Sequence, residues 1–273
     1  MAPTPELPLP ERIGRYDRAL ADFVALARSL EPGDWGRPTD LPGWSVQDNV
    51  SHVVGVESDL LGRPAPAHTP DWAALPHVRG DMGRFVEVAV DARRGSAPDA
   101  VLAELVEVVE QRRAALAAAV GDPVGPAPGF FGTVDRMLGL RPFDIWAHEQ
   151  DIRRAVGRPG NLDGAGALAA RDRLRLALPY VVGQVVGAPP GTVVRWEVAG
   201  PLAFSASVTV GDDGRAVDVG DRTGAAPDVR LEMGWETFVL LGCGRRPPAA
   251  VDVVVRGDVE LGAQVLAAMP VTP

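Results

Sequence analysis

A change in hydrophobic period near Val186 divides this chain of 273 residues and restricts it to a two-part α+β fold. Before that point apolar residues recur at steps of three and four, which lines one face of an α-helix. After it they alternate with polar ones, as on a half-buried strand. In residues 11–30 the apolar positions are Ile13, Tyr16, Leu20, Phe23, Val24, Ala27 and Leu30, until Pro32 and Gly33 break the pattern. A second helix restarts in LPGWSVQDNV, where Ser45 and Asp48 hold the positions of a capping box. Its stripe of Val46, Val50, Val53, Val54, Leu60 and Leu61 also contains Glu57, which needs a partner because burying a lone carboxylate is costly. Helical patterns continue over residues 81–94 and 99–120, followed by a Gly- and Pro-rich loop at 122–132. The last helix of this part is predicted to begin at Pro142, a residue tolerated in a first turn, and to end near Val156. A succession of amphipathic helices of this kind implies an up-and-down bundle.

Beyond Val186, the runs APPGTVVRWEVAG, LAFSASVTVGDDGRAVDVG, DVRLEM and VDVVVRGD read as strands of an antiparallel sheet, with helices over residues 235–241 and 259–269. The expected organisation is a metal-binding helical bundle over residues 1–160, a helical connector over 161–186 and a small α+β domain over 187–273.

Composition excludes several functions. The chain carries a net charge of −9 and no basic stripe, so nucleic acid and anionic membranes are poor partners and small molecules are better ones. All 27 basic residues are arginine, which leaves no lysine for a Schiff base, a pyridoxal phosphate anchor or a phosphate loop. The single cysteine, Cys243, cannot close an internal disulfide or build a thiolate zinc site. No apolar run spans a bilayer and the acidic, Pro-rich start is unlike a signal peptide, so a cytoplasmic monomer or homodimer is expected.

Within RPFDIWAHEQDIRRAVG, Asp144 and His148 stand at i and i+4, so a carboxylate and an imidazole share one helix face, as metal ligands can. Asp151 falls on the same strip. By spacing alone such a pair is more often a plain surface contact, worth roughly a few tenths of a kcal/mol. Of the other three histidines, His68 and His77 sit in a Pro-rich stretch without helical register. That makes His52, on the second helix, the best third ligand, although it projects from the flank of the valine stripe and also fits a solvated histidine. Glu57 suits either a hydrogen bond that orients a ligand imidazole or a salt bridge with Arg112 or Arg113. Trp44 and Trp146 fit the core or the mouth of a pocket.

LPGWSVQDNVSHVVGVE, the ARRGSAPDAVLAEL region and FDIWAHEQDIRRAVGRPG together resemble the mycothiol-dependent maleylpyruvate isomerase family of actinobacteria, over nearly the whole chain. The resemblance implies a DinB-like four-helix bundle followed by a smaller domain like the sterol carrier proteins. It also implies a divalent metal, usually zinc, held by His52, Asp144 and His148. Relatives often carry glutamate at the middle ligand, so Asp144 reaches about 1.5 Å less far; Glu149 points elsewhere on the helix. By the same resemblance, mycothiol supplies the thiol that this chain lacks, its thiolate adds to an electrophilic double bond or takes part in S-transfer, and Arg222 holds the substrate carboxylates. Two other functions fit the residues: a metal-dependent hydrolase with Asp151 or Glu57 as base, and a non-enzymatic carrier of an apolar ligand in the C-terminal domain.

Overall fold

The computed structural model describes residues 7–118, 131–220 and 226–272. The loop expected at 122–132 falls almost wholly outside these residues, and Arg222 lies outside them too. The chain divides into two compact units, Met1–Ala169 and Ala170–Pro273.

The N-terminal unit contains α1 (Leu9–Arg28), α2 (Val46–Leu60), α3 (Gly80–Asp91), α4 (Pro98–Ala118) and α5 (Val134–Val156), and α6 (Ala165–Tyr180) runs on past its end. Helices α1, α2, α4 and α5 form a four-helix arrangement in which α1 and α2 each touch both α4 and α5, while α3 lies against α2. The stripes read from the sequence supply the core: Tyr16, Leu20 and Phe23 from α1, Val46, Val50, Val53 and Val54 from α2, and Leu105 and Val108 from α4 are all essentially inaccessible. Gly55 on α2 permits the close approach of α3, since a Cβ there would come within 2.5 Å of Ala89 Cβ. The capping box forms as expected, with the Ser45 hydroxyl accepting from Asp48 N and the Asp48 carboxylate accepting from Ser45 N.

Helix α5 departs from the sequence expectation. It starts at Val134, capped by Thr133, and Pro142 lies inside it. A proline in a helix interior forfeits one backbone hydrogen bond. Residues 137–152 are nonetheless almost continuously buried, and tertiary burial holds the helix together through the break.

In the second unit, β1 (Val193–Ala199), β2 (Phe204–Val210), β3 (Ala216–Asp218), β4 (Val229–Gly234) and β5 (Val253–Gly257) form one sheet in the order β3-β2-β1-β4-β5. Helices α7 (Trp235–Gly242) and α8 (Val259–Ala268) pack on it. The α+β reading holds, but the sheet is mixed and not antiparallel, because β4 pairs with β1 in parallel. Alternation dictates which face of a strand is buried, as with Trp196 and Val198 against Arg195 and Glu197. It carries no information about which neighbour a strand chooses or in which direction it runs.

Candidate metal centre

The site is built where α2 meets α5. Helix α2 presents His52 and, one turn earlier, Asn49; α5 presents Asp144 and, one turn later, His148. One ligand atom from each of His52, Asp144 and His148 lies within 4.8 Å of the other two. His52 Nε2 stands 3.3 Å from Asp144 Oδ2 and His148 Nε2 stands 3.5 Å from Asp144 Oδ1. Donor atoms around a tetrahedral zinc, with bonds of about 2.0–2.1 Å, are separated by about 3.3–3.4 Å. Each imidazole nitrogen therefore stands at nearly that separation from an Asp144 oxygen, and the three donors together lie within 4.8 Å of one another. The imidazole centroids are 4.4 Å apart. Each imidazole side chain is 8% exposed whereas Asp144 is 38% exposed, so the centre opens on the carboxylate side.

Hydrogen bonds set the chemical state of the donors. His148 Nδ1 lies 2.8 Å from Asn49 Oδ1. The Asn49 amide is oriented by its own donation to the Ser45 carbonyl, so its oxygen must accept from His148 and the Nε2 lone pair is left facing Asp144. Metal-binding histidines are commonly oriented in this way. Burial, reinforced by the neighbouring His148, pushes the His52 imidazole down to about 4 against the pull of Asp144, so His52 is neutral and able to coordinate at physiological pH.

Asp144 is held by Arg141, three residues earlier on the same helix. Arg141 Nη1 donates to Asp144 Oδ2, while Nε and Nη2 donate to Glu57 Oε1 at 3.0 and 2.6 Å. Burial alone would raise the Asp144 carboxyl, but the Arg141 guanidinium outweighs it and holds the group well below the usual carboxylate range. Glu57 also accepts from Tyr16 Oη at 2.5 Å and faces Arg112 at 3.4 Å. Its carboxylate is thus engaged by Arg141, Arg112 and Tyr16 and by neither imidazole. Arg113 pairs instead with Asp17.

Asp151 lies on the expected strip, with Oδ2 3.6 Å from His148 Nδ1, but it is fully buried and bonded to Arg154. Glu149 turns away to Arg153 and Asn161, and Cys243 is buried at the end of α7. His68 and His77 lie outside the cluster and pair with Asp91 and Glu87 of α3. Sequence reading missed Arg141 and Asn49, although each stands one helical turn before a ligand, the spacing at which side chains meet.

A family model described as the mycothiol maleylpyruvate isomerase N-terminal domain matches residues 16–153, just over half of the chain. Two uncharacterised proteins from two strains of Mycobacterium tuberculosis are 26% identical over 148 residues, which is 54% of this chain and 69% of each relative. The crystal structure of a point mutant of the mycothiol-dependent maleylpyruvate isomerase superposes with a TM-score of 0.52 at 14% identity, covering 91% of this chain and 93% of the other. That likeness spans both units and establishes a common fold.

Proposed function

The chain belongs to the mycothiol maleylpyruvate isomerase family, and on that footing we propose that it is a metal- and mycothiol-dependent enzyme that brings a thiol to an electrophilic small molecule, in a cis–trans isomerisation or an S-transfer. The observation that carries this reading is the convergence of one donor atom each from His52, Asp144 and His148 within 4.8 Å, with each imidazole 3.3–3.5 Å from an Asp144 oxygen. Three protein ligands with one side exposed are the pattern of catalytic zinc sites, whereas structural sites are closed by four. A zinc ion bound there supplies positive charge that lowers the pKa of a thiol at the fourth position, so that the thiolate is available at neutral pH.

The chain's own residues do the rest. His52 and His148 offer neutral nitrogen donors, and Asn49 keeps the His148 proton on Nδ1. Arg141, anchored by Glu57, holds Asp144 ionised and aimed at the imidazoles. In this reading Arg222 binds the carboxylates of the substrate, and the protein works in the cytoplasm. The hydrolytic alternative calls for Asp151 or Glu57 as a base, yet both are completely buried and ion-paired with arginine.

Elemental analysis of the purified protein tests the proposal. About one zinc per chain is expected, lost in His52→Ala and His148→Ala, together with turnover of an electrophilic substrate that requires added thiol. A folded, metal-free wild type, or turnover indifferent to removal of low-molecular-weight thiols, refutes it.

A further inference from the structure

The two imidazoles are not secured alike. His148 is oriented by its hydrogen bond to Asn49, but the buried Nδ1 of His52 has no hydrogen-bond partner among the described residues. A ligand ring without that anchor depends more on packing. Besides Asp144 and the His148 ring, Trp44 lies against it, with its ring centroid 5.3 Å from that of His52 and 5.7 Å from that of His148, tilted by 45° and 30°.

Trp44 is itself clamped. Its indole Nε1 donates to Glu87 Oε2 at 3.0 Å, and Glu87 is almost fully buried and further engaged by Arg94 at 2.6 Å. The residue before it, Gly43, has φ +78° and its backbone rests on the His77 ring, so closely that a Cβ there would fall 2.3 Å from His77 Nδ1. His77 Nε2 lies 3.5 Å from Glu87 Oε1 without a hydrogen bond between them, so the loop histidine packs beside the α3 carboxylate that holds the indole.

We infer that Trp44 is a positioning residue of the metal centre: held by Glu87 and by the packing of Gly43 on His77, it fixes the orientation of His52 and shields one side of the ion from water. The inference rests on the metal-centre reading.

Co2+ serves as the probe, because its visible absorption reports coordination geometry. Its affinity, measured by chelator competition, should fall about tenfold in Trp44→Ala, the lower end of the range for residues that support metal ligands. Trp44→Phe keeps the ring and loses the Glu87 bond, and it should fall between the wild type and Trp44→Ala. The absorption bands should change in Trp44→Ala, which loss of stability alone does not produce. If Trp44→Ala proves insoluble, Trp44→Phe decides the matter. Wild-type affinity and spectrum in the variants, with only the melting temperature lowered, would overturn the inference and leave the metal reading standing. A wild type that binds no Co2+ overturns both.

Discussion

Replacing Glu57 by glutamine removes one charge and almost no volume, and it isolates what the ion network beneath the metal centre contributes. The wild-type carboxylate accepts from Tyr16 Oη at 2.5 Å and from Arg141 at 3.0 and 2.6 Å, all in the core. In Glu57→Gln, Arg141 keeps only Asp144 as a counter-charge among the described residues, while Arg112 retains Tyr16 Oη at 3.5 Å and Met137 Sδ at 2.9 Å. Neither guanidinium can escape by losing its proton. Breaking a buried pair from one side costs about 3–5 kcal/mol. At about 2–4 °C per kcal/mol for a unit of this size, the helical unit should melt about 6–20 °C lower. Thermal unfolding of the metal-free protein near neutral pH, followed by helical circular dichroism, measures it for Glu57→Gln, Arg141→Met and the double variant. The double variant should lose less than the sum of the single losses, with a coupling of about 1–3 kcal/mol. A Glu57→Gln loss below about 1 kcal/mol with native helix content, or strictly additive single effects, would refute the network as the anchor of Asp144.

The low pKa of His52 makes stability depend on pH with a definite sign. Its folded value of about 4 lies below the ordinary 6.5, so the unfolded chain takes up the extra proton first as pH falls. The metal-free protein should be at full stability above pH 6.5 and lose about 2 kcal/mol between pH 7 and 5, as read from urea midpoints, and His52→Gln should flatten that slope. Asn49→Ala frees the His148 tautomer and should weaken Co2+ binding about 10- to 100-fold by chelator competition. Gly43→Ala should lower the melting temperature more than Gly62→Ala does. Both glycines have positive φ, but only at Gly43 does the added methyl strike a neighbouring ring.

Much of this protein is determined by local pattern. The three-and-four spacing of the valines on α2, the capping box at Ser45 and Asp48, and the alternation in β1 and β2 follow from side-chain geometry along a single element, and each element formed where its pattern lay. The pairing of Asp144 with His148 was legible for the same reason, since one helix face carries both. Which distant group would complete that pair was not local information. The packing of α2 on α5 brings His52 to Asp144, turns Arg141 and Asn49 into supports, and gives Glu57 to an arginine and not to an imidazole. Packing likewise carried α5 through Pro142, and the choice of neighbours in the sheet set β4 parallel to β1. Period and caps depend on residues within a turn or two of each other, whereas coordination, ion pairing and strand order depend on which surfaces meet, and that is decided by burial summed over the whole unit.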